Sequence, residues 1–281
     1  MNLSSNLYII KNALFPFIST EDACTLRLIN NEFKELVTQY HWNDTKTKIK
    51  GSIRLWRTCF PNAISANVSN RYIPLNDSDC EYFNGLRELN ISRSIFDNPE
   101  SNITDNGFSY LTKLITLNMS GCTQNNLTND AFKYLTNIKD LNISWCTQFD
   151  DIIFDKLNKL KILNVSWCAQ ITDKTFEKLF RLNKLIMRWC AQEKITDNAF
   201  QYLSNLNTLD MTGCNQETIT NNGLFWLKNL QTLDISHCDQ SEITSKLFTL
   251  LCKLKELDVS GCIQIDKTDI LFKKMNCVIF V

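Results

Sequence analysis

The sequence lacks several features that would point to particular classes of protein. Its 30 lysines and arginines balance its 30 aspartates and glutamates, so no net charge favours nucleic acid or an acidic membrane surface. No apolar run approaches the ~18 residues of a membrane span, and no N-terminal segment resembles a secretion signal. We therefore expect an intracellular protein of the cytoplasm (the host cytoplasm if it is viral), with the nucleus as an alternative location.

Groups that support catalysis or metal binding are also scarce. The twelve cysteines include no Cys-x-x-Cys pair of the kind that ligates zinc. Only two histidines, His41 and His237, could act as a base for a nucleophilic cysteine. No glycine-rich phosphate loop is present. These absences argue against an enzyme, and we expect neither a metal nor a cofactor.

Charge is uneven at one place. Residues 46–50 read KTKIK and are followed by Arg54 and Arg57. A short basic stretch is more often a solvated face than a phosphate site, and we interpret this one in that way.

What the sequence does contain is an internal repeat, mostly of 22 or 24 residues, with one longer step of 28 between Leu89 and Leu117. LNISWC at 141–146 and LNVSWC at 163–168 are typical cores. The repeated segments begin at Leu86, Leu114, Ile138, Leu160, Leu182, Leu206, Leu230 and Leu254. A degenerate copy at 63–69 precedes them, and residues 275–281 form a last one. Such a period predicts stacked structural units.

A second pattern lies between these cores, for example ITDNGF at 103–108, ITDKTF at 171–176 and ITDNAF at 195–200. Threonine is a good N-cap, and the following aspartate suits the positive end of a helix. The apolar residues on either side have the spacing of a hydrophobic staple. Each repeat therefore predicts a strand, a turn and a short helix.

The combined pattern LxxLxLxxCxxITDxxF resembles the cysteine-containing subtype of the leucine-rich repeat over residues 63–281. The resemblance implies an α/β fold, a right-handed horseshoe solenoid with a parallel sheet on the concave side and helices on the convex side. Asn-x-Ser/Thr sequons begin at Asn90, Asn118, Asn142 and Asn164. We interpret them as by-products of the repeat rather than as glycosylation sites.

Seven cysteines share one repeat position: Cys122, Cys146, Cys168, Cys190, Cys214, Cys238 and Cys262. A solenoid would stack them at the ~4.8 Å strand spacing with parallel Cβ vectors. Their number is odd and the expected compartment is reducing, which argues against disulfides. We predict a ladder of buried free thiols.

Before residue 60 a helical pattern replaces the repeat. Its apolar positions fall into two stripes, Leu14, Phe15 and Ile18, then Leu26, Leu28, Ile29, Phe33 and Leu36. The intervening segment STED at 19–22 offers N-cap chemistry for a second helix. A segment of ~40 residues buries little by itself, so we expect its apolar side chains to seek a partner.

At these positions the chain resembles an F-box, whose pattern is approximately LPxExLxxIFxxLxxxDLxxLxxVCxxFxxL. The chain departs from the pattern at the leading Leu-Pro, which falls on Asn6-Leu7, and at the cysteine of the Val-Cys step, which is Asn30. The resemblance implies binding to a ubiquitin-ligase adaptor through Ile10, Leu14, Phe15, Ile18, Asp22, Leu26, Ile29 and Phe33. The alternative is a helical cap that shields the first repeat.

The residue before the repeat cysteine varies among glycine, tryptophan and histidine. Simple alternation along 141–146 would bury Trp145 and expose Cys146, so the chain must bend there. Because a packed interior would not accept such different side chains at equivalent sites, we place this position on the rim of the concave sheet. Trp145, Trp167 and Trp189 would then form either a partner-binding strip or a purely structural stack.

The outward strand positions become acidic toward the C-terminal repeats. We predict that a partner docks on the tryptophans and directs basic groups toward this acidic end. The predicted partner-binding residues are Trp145, Trp167, Trp189, Arg188, Asp210, Asp234, His237 and Asp258.

We predict an F-box-like helical domain at 6–45, a linker at 46–62 and leucine-rich repeats at 63–281. This domain order is typical of the substrate-recognition subunit of an SCF-type cullin-RING ubiquitin ligase, which supplies proximity and no catalytic residue. Its partners would be the adaptor, the cullin complex and a protein substrate, without nucleic acid or membrane. The alternative is a repeat scaffold with a helical cap and no ubiquitin-ligase role.

Overall fold

The computed structural model describes residues 9–93, 102–190, 193–266, 268–269 and 277–281. Within them, ten strands form one parallel sheet whose spatial order follows the chain. The strands are β1 (Ser65–Asn67), β2 (Glu88–Asn90), β3 (Thr116–Asn118), β4 (Asp140–Asn142), β5 (Ile162–Asn164), β6 (Lys184–Ile186), β7 (Thr208–Asp210), β8 (Thr232–Asp234), β9 (Glu256–Asp258) and β10 (Val278–Phe280). Equivalent residues pair across neighbouring repeats, so the predicted solenoid with one strand per repeat is confirmed.

Single helical turns connect the strands. The α-helical ones are Asp77–Cys80, Asp173–Phe176, Asn221–Leu224 and Lys246–Leu250, and the 3-10 ones are Glu81–Phe83, Gly107–Tyr110, Asn129–Tyr134, Asp151–Lys156 and Asp197–Tyr202. The predicted threonine caps are present: the hydroxyls of Thr172 and Thr196 accept hydrogen bonds from the amides two residues later. The caps satisfy amides that a short helix would otherwise leave unpaired.

The N-terminal region contains a π-helical turn (Ile10–Leu14), a 3-10 turn (Phe15–Phe17) and helices α1 (Thr20–Leu26), α2 (Asn31–Gln39) and α3 (Ile53–Cys59). The predicted cap of α1 is confirmed, because Ser19 and Asp22 exchange capping-box hydrogen bonds. Asn30, a departure from the F-box pattern, caps α2 by accepting from the Phe33 amide at 2.9 Å. The chain therefore turns between α1 and α2, and the second apolar stripe does not lie on one helix.

The N-terminal region and the first repeat share one core. The Trp42 ring packs against Phe15 (centroids 5.1 Å apart) and Phe60 (5.7 Å), and the Ile64 amide donates to the Trp42 carbonyl at 2.8 Å. Within 46–62, the segment we expected to be a linker, α3 buries Ile53 and Trp56. The division into domains stays a prediction.

The repeat cysteines are buried thiols, and none of them forms a disulfide. The Cys146 Sγ lies 3.2 Å from the Met119 carbonyl oxygen, to which the thiol donates across one repeat. Burial raises the pKa of Cys122, Cys168 and Cys238 to about 12. The predicted thiol ladder is confirmed.

Two parts of the sequence-based predictions lie outside the described residues. They are the start of the F-box-like region at 6–8 and the start of the last repeat copy at 275–276.

Candidate partner-binding surfaces

A tight turn follows each strand and positions the rim residue. After β4, the Asn142 Oδ1 accepts from the Ser144 amide at 3.0 Å, and the Cys146 amide donates to the Ile143 carbonyl at 3.0 Å. The same side-chain bond to the amide two residues on occurs at Asn67, Asn90, Asn118, Asn164, Asp210, Asp234 and Asp258. The Asn-x-Ser motif is therefore explained by a turn that needs this acceptor.

The rim residue itself has left-handed backbone geometry. Its φ is 65° at Trp145, 62° at Trp167 and 55° at Trp189. Positive φ also occurs at the equivalent positions Asn70 (50°), His237 (57°), Gly121, Gly213 and Gly261. Such a φ costs a non-glycine residue on the order of 1–3 kcal/mol. The bend required by the alternation is thus confirmed, and glycine occurs there for its backbone freedom.

The three tryptophans stack on one another. Ring centroids lie 4.3 Å apart for Trp145–Trp167 and 5.9 Å apart for Trp167–Trp189, with the rings nearly parallel. The stack ends at Gly213, where an added Cβ would lie 2.4 Å from an indole carbon of Trp189. Trp167 and Trp189 remain 40% and 43% exposed. The strip is therefore both a structural stack and an accessible aromatic surface.

Arg188 and Asp210 bind each other. The Arg188 Nε donates to the Asp210 Oδ2 at 2.7 Å, and Asp210 is only 8% exposed. The hydrogen bond that Arg188 donates to the Asp210 carboxylate raises the pKa of Arg188. This corrects the sequence-based interpretation of Asp210, which is largely enclosed by its own ion pair instead of presented to a partner. Ile186 here replaces the usual turn-forming Asn or Asp, and the Arg188 amide donates to the Ser166 hydroxyl at 3.0 Å instead.

The acidic end is less open than the sequence suggested. Asp234 and Asp258 are half-buried, and each uses one carboxylate oxygen in its own turn. Glu256 and His237 are exposed. An added Cβ at Gly261 would lie 2.5 Å from the His237 Nδ1, so His237 covers that glycine as Trp189 covers Gly213.

The predicted adaptor-binding residues divide into buried and exposed groups. Phe15 is 1% exposed and packs against Tyr40 and Trp42, so the prediction that it contacts an adaptor is wrong. Three other predicted apolar residues pack against the core, namely Ile10, Ile18 and Leu26. Phe33 is half-buried. Asp22 is exposed and serves the α1 cap, whose hydrogen bond with Ser19 lowers the Asp22 pKa.

Of the large apolar side chains of this region that are open to solvent, four lie within residues 14–29. Leu14 is 42% exposed and Ile29 is 59% exposed, as the F-box resemblance required of contact residues. Phe17 (85%) and Leu28 (86%) are exposed further, and the resemblance did not select them. Phe17 lies off the first stripe, so helical spacing gave no signal for it. Leu28 belongs to the second stripe, but it matches no F-box position and so was not predicted to contact the adaptor.

Comparison with known proteins agrees with this architecture. A family model described as leucine-rich repeat matches residues 156–177. The fold is a leucine-rich-repeat solenoid. Solved solenoids of this kind include a chain of the TLR13–ssRNA13 complex (TM-score 0.57, 20% identity) and a chain of the mouse RP105/MD-1 complex (0.54, 21%). The alignments cover 79% and 76% of the present protein but only 36% and 37% of those chains.

A third similar structure matches along nearly its whole length. It is a chain of the Rad7–Elc1 complex from yeast, with a TM-score of 0.51 and 16% identity, and the alignment covers 98% of the present protein and 92% of that chain. At these identities the likeness shows the fold alone. A search of curated proteins gives no match. Solenoids of this kind offer extended concave surfaces and are typically interaction scaffolds.

Two further observations bear on the kinds of site present. Among the described residues, no helix combines the length and apolar character that crossing a membrane would require. In the same part of the chain, no three His, Cys, Asp or Glu side chains are grouped so as to hold a metal ion. The expectation of a protein without metal or cofactor stays a prediction.

Proposed function

We propose that this protein is the substrate-recognition subunit of an SCF-type cullin-RING ubiquitin ligase and has no catalytic role of its own. The observation that carries the proposal is a pair of separate apolar surfaces, each largely open to solvent, on one chain. We call the first the adaptor surface (Leu14, Phe17, Leu28 and Ile29) and the second the tryptophan strip (Trp145, Trp167 and Trp189). A protein that brings two others together needs two such surfaces.

The adaptor surface is supported by its place in the helical frame. Phe15 and the inward-packing residues hold that frame, which leaves the four exposed side chains to make contacts. The F-box resemblance covers two of these four residues, Leu14 and Ile29. The yeast chain that matches nearly the whole length was solved together with Elc1, a second protein. A protein-binding role for the present N-terminal region fits this arrangement.

The adaptor proposal is tested with purified adaptor subunit and the variant F17S/L28S. Both side chains are more than four-fifths exposed, so the variant should fold normally. Removing two central anchors should weaken binding by ~30-fold or more in a titration. The matched control is I152S/F180S, which changes two exposed apolar residues of the repeats. If the intact chain does not bind the adaptor, the scaffold with a helical cap is the better description.

The target protein would dock on the tryptophan strip beside Ile186 and the Arg188–Asp210 pair. Aromatic side chains dominate interface energies, and the stack holds these rings in fixed positions before binding, which reduces the entropy lost on association. Basic groups of the target would approach Asp234, Asp258 and Glu256. The target-binding set thus keeps the predicted residues except Asp210, whose role becomes the positioning of Arg188.

Replacing all three tryptophans by glycine tests this surface with a residue that readily adopts the positive φ of these positions. Glycine is the natural residue at Gly121 and Gly213 and relieves the positive φ. We expect a folded protein that no longer crosslinks to the targets identified with the unaltered chain. Trp226→Ala, which removes a tryptophan 51% exposed outside the strip, should retain them. Undiminished crosslinking would refute a docking role, and loss of folding would make the strip purely structural.

A further inference from the structure

A basic cleft lies at the N-terminal end of the solenoid, and none of its lining residues belongs to the adaptor surface or to the tryptophan strip. The Ile49 amide donates to the Asn67 carbonyl at 2.8 Å, which attaches residues 48–50 to the edge of the sheet. Ile49 points inward, and the lysines on either side of it, Lys48 and Lys50, are exposed. Opposite them, residues 69–73 complete a cleft of about 520 Å³.

Arg71 adds a third positive charge to the cleft. Its guanidinium donates to the Ile49 carbonyl at 2.6 Å and to the Gly51 carbonyl at 3.0 Å, which fixes it against the lysine segment. Among the described residues, no carboxylate lies within 4.0 Å of Arg71, Lys48 or Lys50. Asp79 acts on Arg71 from farther away, and one of its oxygens accepts from the Asn76 amide.

We propose that this cleft binds a phosphate ester carried by an extended segment of a partner protein. Three positive groups in one cleft, none with an ion-pair partner within 4.0 Å among the described residues, repel each other. A dianion with three acceptor oxygens relieves that repulsion. Tyr72 is 95% exposed and Ile73 is 63% exposed beside the cations, where they provide apolar contacts for the residues that flank the phosphate. Nucleic acid fits less well, because three cations on a chain of zero net charge neutralise few phosphates.

The structure changes the interpretation of the basic stretch. Arg57, which follows it in sequence, donates to the carbonyls of Ala63 and Asn84 and does not line the cleft. The third cation comes from Arg71, 21 residues beyond Lys50. The proposal depends on neither the adaptor surface nor the tryptophan strip, so it goes beyond the proposed function and can fail separately.

The test is fluorescence anisotropy of the full chain with labelled heptapeptides. Their central residue, flanked by leucines, is serine, phosphoserine or glutamate. We expect the phosphopeptide to bind about tenfold or more tightly than the serine peptide and to weaken with added salt. The variant K48Q/K50Q should lose about tenfold of that affinity, whereas the matched variant K139Q/K161Q, which also alters two exposed lysines, should not. Unchanged thermal unfolding of both variants verifies their folding.

Three results would overturn the proposal. One is equal affinity for the serine and phosphoserine peptides. Another is an equal loss of phosphopeptide binding in K48Q/K50Q and K139Q/K161Q. The third is tighter binding to vesicles that contain a phosphorylated phosphatidylinositol than to the phosphopeptide. If K48Q/K50Q also loses this vesicle binding, the cleft is a membrane-binding site. Tighter binding of the phosphopeptide than of the glutamate peptide supports the phosphate ester over a carboxylate.

Discussion

Glutamine recurs two positions after the repeat cysteine, and its surroundings differ among repeats. In Gln148, Nε2 donates to the Cys122 carbonyl at 2.7 Å. Gln240 is completely buried and Gln216 is 3% exposed, and neither amide group has a hydrogen-bond partner among the described residues. A buried polar group without a partner destabilises a protein by ~1–3 kcal/mol. The later repeats therefore contain side chains that oppose the stability of the fold.

The first prediction is that Gln240→Met stabilises the protein. Methionine has a similar shape and no amide to desolvate, so the free energy of unfolding should rise by about 1–2 kcal/mol and Tm by a few degrees. Gln170→Met is the matched control, since Gln170 has the same repeat position but is exposed. Thermal and urea unfolding measure both variants. A loss of stability in Gln240→Met would show that the amide is satisfied in solution.

At the level of the secondary-structure elements, an aspartate connects several of the helical turns to the next repeat. Both carboxylate oxygens of Asp197 accept from Thr220, one from the amide and one from the hydroxyl, each at 2.7 Å. Asp173 binds Thr196 in the same way. Gly223 lies against this carboxylate, because an added Cβ would be 2.4 Å from the Asp197 Oδ1. The aspartate of the ITD motif thus connects repeats in addition to any interaction with its own helix.

We predict that Asp197→Ala lowers the free energy of unfolding by about 2–3 kcal/mol, because two donors of Thr220 lose a charged acceptor. Asp197→Asn should cost less, since Asn221 pairs with Thr244 at the equivalent position by accepting at 3.1 Å and donating at 2.8 Å. Asp155→Ala, which removes an exposed ion pair with Lys178, should leave the free energy of unfolding nearly unchanged. Equal effects of the Asp197→Ala and Asp155→Ala substitutions in urea unfolding would refute the role of Asp197.

Sequence spacing predicted the elements well because strands, caps and thiols depend on local chemistry repeated at a fixed period. The leucines of each core and the threonine caps needed no tertiary information. Two properties could not be predicted in this way. The left-handed turn at Trp145 was inferred only as a bend, since tryptophan gives no signal for positive φ. The burial of Phe15 depends on Tyr40 and Trp42, which the periodicity of residues 14–18 does not include.

The binding surfaces were predicted less well for a related reason. Arg188 and Asp210 are separated by 22 residues, so their pairing follows from stacking and not from local sequence. Arg71 reaches the Lys48–Lys50 segment in the same manner. A pattern identifies which repeat positions face outward, but contacts between neighbouring repeats decide which of those side chains remain available.

At the scale of the whole molecule, the thiol ladder should make the free energy of unfolding fall as the pH becomes alkaline. Burial raises the pKa of Cys122, Cys168 and Cys238 from 9.0 to about 12. Between these values the unfolded chain releases thiol protons that the folded chain retains. The stabilisation is therefore complete below about pH 9 and is lost as the pH rises toward 12, at up to ~1.4 kcal/mol per pH unit for each thiol.

This predicts a steep fall in the free energy of unfolding above pH 9, measured by urea unfolding at a series of pH values. Cys168→Ala should reduce the slope of that fall by the contribution of one thiol, whatever its effect on the free energy of unfolding at neutral pH. Cys252→Ala alters an exposed thiol and should leave the pH dependence unchanged. The same slope in all three proteins would contradict a role for the ladder.

The shared core predicts that the N-terminal region and the repeats behave as one unit toward proteases. Lys48 and Lys50 are exposed, but their backbone is held by the edge of the sheet and by Arg71. Trypsin needs local unfolding to cut there, so native protein should resist cleavage within 46–62. Trp42→Ala should destabilise the core by about 3–5 kcal/mol and accelerate that cleavage. Rapid cutting of the unaltered chain into two stable fragments would instead establish a flexible linker between independent domains.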